Sequence, residues 1–294
     1  MKINHLSCFL TTCALGLLVG CGGGGGGGVS YAPGTVAQIW SSAHGLNFPK
    51  HLTFLDGNLY VANNGADNIL KIDSSGSVTV YSTVGEPLGI APSGGSLFVT
   101  GRNTGTNLLG ILQLMPAASA PNASIGANYY GLAFTASKAY VVDGSSVNIF
   151  NASTWAPAPT TSIAVTGSFH QALVANGTKL YVSNTDGTIS VIDTSTDTLS
   201  ANLSFVGNPF SRPNAMVLDG SGSMYVANAG DGNGDGGYIS KVTLSNLDTS
   251  TFVNAAQVGL CGAAGLAISG GYLYVSNGTC SDSTLTHRIL KIKI

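Results

Sequence analysis

Asp231-Gly232-Asn233-Gly234-Asp235-Gly236 is the stretch whose spacing points most directly to chemistry. Side-chain oxygens at alternate positions, with a glycine permitting a sharp turn, are how a loop converges on calcium. The twelfth position here is Val242, not the bidentate glutamate of such loops. Asp231, Asn233 and Asp235 would therefore need backbone oxygens or Asp248 to complete a structural calcium shell, and a plain glycine-rich turn is the competing reading. Glu86 is the only glutamate, and His44, His51, His170 and His287 are the histidines beyond the amino-terminal stretch. These are the other groups able to ligate a metal or move a proton. Neither a Gly-x-Ser-x-Gly elbow nor a His-Glu-x-x-His pair occurs, so the familiar serine-hydrolase and zinc-protease constellations are missing.

Composition limits what must position these groups. Charged residues make up 8% of the 294-residue chain while glycine numbers 41, so polarity is carried by small side chains. Such a chain suits many short strands joined by turns, not long charge-laced helices. With 11 Lys and Arg against 13 Asp and Glu, no basic field is left for nucleic acid. Lys2 and the apolar run Phe9 to Val19 have the charge and length of an export signal, too short to span a bilayer. The run ends in Leu18-Val19-Gly20-Cys21, which resembles the lipobox of bacterial lipoproteins at every position.

That resemblance implies a signal peptide over residues 1–20, cleavage before Cys21, and acylation of the Cys21 thiol and its new amine. More than one acyl chain anchors stably, where a single chain holds only marginally. Gly22 follows the lipidated cysteine in place of aspartate, which implies the outer membrane in a Gram-negative cell and the cell membrane otherwise. Seven glycines, Gly22 to Gly28, make residues 21–34 a flexible tether. Cys8 and Cys13 leave with the signal, so Cys261 and Cys280 remain and are expected to pair in an oxidising compartment.

The strongest internal signal is a recurring Tyr-Val-Ala/Ser-Asn at Tyr60, Tyr181, Tyr225 and Tyr274, with looser copies at Phe98 and Tyr140. Successive copies lie 38, 42, 41, 44 and 49 residues apart, the length of a propeller blade. Each follows a short apolar stretch and a turn such as Asp56-Gly57, Gly94-Gly95 or Gly270-Gly271, which is a hairpin signature. A third strand follows, as at Ile189 to Asp193, and a weaker fourth, as at Val78 to Tyr81. Four antiparallel strands per repeat and six repeats predict an all-β, six-bladed propeller over residues 35–294. The last repeat lacks its outer strand, and Val36 to Ser41 resembles one. Residues 36–41 should therefore pair with residues 288–294 and close the ring without an open sheet edge.

These repeats resemble those of NHL and YVTN propeller proteins, a likeness that specifies fold well and function poorly. Strand order places the approach to each inner strand and the loop after each second strand on one face, the face related propellers use for ligands. Aligning the repeats puts Lys50, Leu88, Tyr130, His170, Asn214 and Ala264 at one equivalent position near the channel mouth, with His51, Glu86 and Arg212 beside them. The loop after the second strand of the second repeat adds Arg102. Asn63, Asp143, Asn184, Asn228 and Asn277 recur at one place and are read as caps of their own turns. Cys261 and Cys280 fall on this same face, in the last blade.

Two enzyme groups on related propellers frame the alternatives. Gluconolactonase-like propellers bind a divalent metal through one Glu and several Asn or Asp; here Glu86 matches, whereas Lys50, Leu88, Tyr130 and Ala264 depart from the pattern. A zinc lyase of the peptidylglycine type needs histidines that His51, His170 and His287 do not obviously supply. The reading is therefore a lipid-anchored, monomeric binding or scaffolding module with a protein or glycan partner in the envelope. A metal-dependent hydrolase, lactonase or lyase is the alternative.

Overall fold

Within the strand Asn58–Asn63, successive side chains are buried against different neighbours. Leu59 and Val61 pack into one apolar cluster and Tyr60 and Ala62 into another. Side chains alternate across a strand, so a strand apolar at nearly every position needs a partner layer on both faces. Radially stacked blades supply both.

The computed structural model describes residues 30–114, 123–124, 129–155, 159–165, 172–206, 209–230, 236–278 and 280–294. Cys21, His170, Asp231, Asn233 and Asp235 lie outside them. Tyr31–Ile294 forms one compact unit. Its strands are β1 (Val36–Trp40), then β2 to β5 in the first blade (Pro49–Leu55, Asn58–Asn63, Asn68–Ile72, Val78–Thr83). The second blade holds β6 to β9 (Ile90–Ser93, Ser96–Arg102, Leu109–Gln113, Ala123–Ser124). The third holds β10 to β13 (Leu132–Phe134, Lys138–Val142, Ser146–Asn151, Thr161–Ala164) and the fourth β14 to β17 (Leu173–Asn176, Lys179–Ser183, Ile189–Asp193, Thr198–Leu203). The fifth holds β18 to β21 (Pro213–Leu218, Ser223–Asn228, Tyr238–Thr243, Thr249–Asn254) and the sixth β22 to β24 (Ala263–Ser269, Tyr272–Asn277, Arg288–Lys293). A four-residue helix, Ala255–Val258, leads into the sixth.

Six separate four-stranded antiparallel sheets result, and the sixth has the order β1-β24-β23-β22. The expected closure is therefore present: Gln38, Ile39 and Trp40 face Lys291, Leu290 and Ile289. Each of six apolar clusters joins one blade to the next, including the last to the first through Trp40, Leu52, Tyr274 and Ile289. The chain is a closed six-bladed β-propeller. Asp56-Gly57 and Gly270-Gly271 each have two consecutive positive φ angles, 49° and 75°, then 58° and 75°. Two-residue hairpins of this twist require them.

Closure is reinforced at the seam. The Trp40 indole N–H donates to the Gly76 carbonyl of the first blade at 2.9 Å. On the other face the Ser276 hydroxyl of the sixth blade donates to the Lys50 carbonyl at 2.6 Å. A Cβ on Gly265 would lie 2.2 Å from that same carbonyl, so only glycine lets the two inner strands approach this closely.

Candidate functional site

The six inner strands, β2, β6, β10, β14, β18 and β22, surround a channel of about 360 Å³. At one end Lys50, His51, Leu88, Tyr130, Asn214 and Ala264 line a cavity of about 130 Å³, and His51 borders both spaces. Five of these six come from one aligned column, one residue per blade. The polar ones arise from alternate blades: Lys50 with His51 from the first, Tyr130 from the third, Asn214 from the fifth. Leu88 and Ala264 are the apolar contributions of the second and sixth.

Inner strands pinched against their neighbours set this geometry. In the second blade Gly89 N–H donates to the Thr100 hydroxyl oxygen at 2.8 Å, and that hydroxyl lies 3.2 Å from the Tyr129 carbonyl of the third. A Cβ on Gly89 would meet the Tyr130 carbonyl at 2.2 Å. Asn214 Nδ2 donates to the Ala263 carbonyl at 3.2 Å, tying the fifth blade to the sixth. The rim thus holds its side chains by backbone contacts between blades.

Burial dominates the electrostatics of the mouth. It lowers the pKa of the Lys50 ammonium below its usual value. His51 is pushed from 6.5 down to about 4, first by burial and then by the Lys50 charge, while a backbone hydrogen bond with Asn214 opposes the shift. His51 is therefore a neutral imidazole at pH 7. Both residues keep part of their surface exposed.

Two residues before the mouth position the backbone turns left-handed in every blade where that residue is described. Phe48, Glu86, Arg212 and Gly262 have φ of 45°, 49°, 53° and 52°. Each non-glycine residue there costs about 1 kcal/mol, which the blade scaffold must offset. Phe48, Glu86 and Arg212 are exposed on the rim and do not line the cavity. Glu86 pairs with Arg102 of its own blade at 3.4 Å, with side chains 61% and 34% exposed, so the contact is worth little. Phe48 packs on His287 with ring centroids 4.4 Å apart. His44 accepts the Ser41 N–H at 3.1 Å. Nothing in the residue type of Phe48 marks it as a rim position. Its signal was Gly262 in the same aligned column, because glycine marks positions needing positive φ.

The recurrent Asn residues do more than cap their own turns. Asp143 behaves as expected, accepting from Ser145 and Ser146 N–H at 3.0 and 2.8 Å. Asn63, Asn228 and Asn277 instead accept N–H groups of Asn47, Ser211 and Cys261, 16 or 17 residues back, at 2.7, 3.0 and 2.8 Å. Each therefore latches the approach to its inner strand onto its second strand. Beside the last latch, Cys261 and Cys280 form a disulfide with Cα atoms 5.3 Å apart.

A hard divalent cation needs several oxygen ligands, and the ring offers an ammonium, two apolar side chains, a phenol and one amide. The described mouth does not supply the oxygen set of a hard divalent cation. Among the described residues no group of three or more His, Cys, Asp or Glu is placed to hold one. No helix among them is long and apolar enough to cross a membrane.

Fold and site together define a class, a closed propeller with a polar mouth on its axis. No protein-family profile matches the chain, and no curated protein matches it either. It is similar to a solved protein of unknown function from Bacteroides thetaiotaomicron, with TM-score 0.63 and 13% identity over 84% of this chain and 70% of that one. A chain of the mitotic checkpoint complex gives 0.59 and 13% over 92% and 98%. Virginiamycin B lyase from Staphylococcus aureus gives 0.55 and 16% over 83% and 79%. At these identities the likeness is one of fold.

Proposed function

We propose that this chain is an exported binding propeller of the bacterial envelope, akin to the NHL and YVTN proteins and anchored by lipid on Cys21. It takes its partner, protein or glycan, at the channel mouth. The observation that carries this reading is the convergence of Lys50, His51, Tyr130 and Asn214 on one cavity that offers hydrogen bonds from several blades. Polar groups converging in a concave site of a rigid scaffold are what recognition requires. The lipobox and glycine tether support a lipid-anchored address, and incorporation of labelled palmitate, abolished by Cys21→Ser, tests it.

Passing envelope extract over the immobilised chain tests the binding role, with a variant carrying Lys50→Ala, Tyr130→Ala and Asn214→Ala in parallel. A partner retained by the parent and released by the variant is expected; equal retention by both, or by neither, refutes the reading. A second reading is a metal-dependent hydrolase, lactonase or lyase, and a virginiamycin B lyase is among the solved propellers of similar fold. Stoichiometric zinc or calcium in the purified chain, lost on replacing Glu86 or His170, would overturn the preference for the binding reading.

A further inference from the structure

We propose that the mouth binds an organic carboxylate and that Lys50 is its counter-ion, an inference that rests on the mouth being the ligand site. Lys50 lies in a cavity whose other lining residues are a neutral imidazole, a phenol, an amide and two apolar side chains. None is an acid. The ion pairs among the described residues are Arg102 with Glu86 and Lys138 with Asp197; Lys50 is in neither.

The described carboxylates on this face are already engaged. Asp67 accepts the Glu86 N–H at 2.8 Å, Asp143 holds its own turn and Asn148 at 2.8 Å, Asp186 accepts from Thr188 N–H at 2.9 Å, and Asp282 accepts from Thr284 N–H at 2.8 Å. Segments 125–128 and 166–171, which lead into the third and fourth mouth positions, contain no Asp or Glu in sequence, and the acids of this face that lie outside the described residues are Asp231 and Asp235. A cation withdrawn from water without an anion is costly, and a bound anion restores the missing half of the pair.

The remaining groups select the kind of anion. His51, kept neutral beside Lys50, can donate one hydrogen bond, and the Tyr130 hydroxyl another. One ammonium and a few neutral donors suit a singly charged carboxylate. A phosphate dianion calls for several cations or a nest of backbone N–H groups. A cavity of about 130 Å³ admits a carboxylate with a short carbon skeleton, against the walls formed by Leu88 and Ala264.

Titration calorimetry on the purified full chain tests this, with propionate, glucuronate, methyl propionate and inorganic phosphate as probes. Propionate or glucuronate should bind and methyl propionate should not. Lys50→Met should weaken the acid at least tenfold, whereas Lys179→Met, remote from the mouth, should leave it unchanged. Lys50→Met should also melt no lower than the parent, because it removes an unpaired, partly buried charge, so lost binding would not reflect lost folding. Equal binding of ester and acid, preference for phosphate, no binding of either acid, or an unaffected Lys50→Met variant would each overturn the proposal. If the mouth variant releases an envelope partner while no carboxylate binds, the ligand class falls and the binding site stands. If both fail, both readings fall.

Discussion

Replacing Asn277 with leucine probes how the mouth is held together. The side chain is fully buried, and its amide satisfies three backbone groups at once. Oδ1 accepts Cys261 N–H at 2.8 Å, and Nδ2 donates to the Gly259 and Leu285 carbonyls at 3.1 and 2.8 Å. Leucine keeps the branched outline of asparagine with bulkier methyl ends, so some overpacking adds to the lost hydrogen bonds. Leaving a buried polar group unpaired costs about 1–3 kcal/mol. Allowing for partial relaxation of the two loops, the variant should lose about 3–5 kcal/mol, comparable to or above the roughly 3 kcal/mol expected from the adjacent disulfide. Asn184 provides the internal contrast. Its Nδ2 donates to the Thr188 and Ser190 hydroxyls, but its Oδ1 has no hydrogen-bond partner among the described residues. Asn184→Leu should therefore cost less than Asn277→Leu. Urea denaturation read by tryptophan fluorescence is the assay. Trp40 sits in the seam between the last and first blades and Trp155 between the second and third, so the two emissions report separate interfaces. A loss under 1 kcal/mol for Asn277→Leu, or a larger loss at Asn184, would refute the latch.

Stability should also depend on His51. Its folded pKa of about 4 lies below the ordinary 6.5, so the unfolded chain binds more protons between those values and stability rises with pH across that window. The rise should be about 3 kcal/mol, complete near pH 6.5, and His51→Gln should flatten it in urea titrations at stepped pH. At the interface of the third and fourth blades Asp197 accepts from Lys138 Nζ at 2.7 Å and from the Tyr140 hydroxyl at 3.2 Å. Burial, and then Asp197, push the Tyr140 phenol pKa up, so it stays a donor. Both ion-pair side chains are about a quarter exposed, at 29% and 24%, so Asp197→Asn should cost only about 1–2 kcal/mol, and a double-mutant cycle with Lys138→Met should recover most of it as coupling.

Much of the architecture is legible in the residues because propeller repeats are local objects. Tyr-Val-Ala/Ser-Asn spacing, two-residue turns and alternating burial act within about 45 residues, so blade number, strand order and the pairing of Val36–Trp40 with Arg288–Lys293 can be argued without coordinates. Cys261 and Cys280 are likewise readable, both falling within one blade. The column of mouth residues emerges from alignment alone, since equivalent positions in a ring converge on its axis.

What that column does is a tertiary matter. His51 and the Asn214 backbone lie 163 residues apart and meet only because the ring brings first and fifth blades to one mouth. The lowered pKa of Lys50 and the neutrality of His51 follow from burial, which no spacing encodes. The reach of Asn277 to Cys261 as well as to its own loop at Leu285, and the left-handed backbone of Phe48, depend on two loops folding onto each other. Periodicity determines which residues occupy equivalent places; the closed ring decides which are desolvated and which are strained.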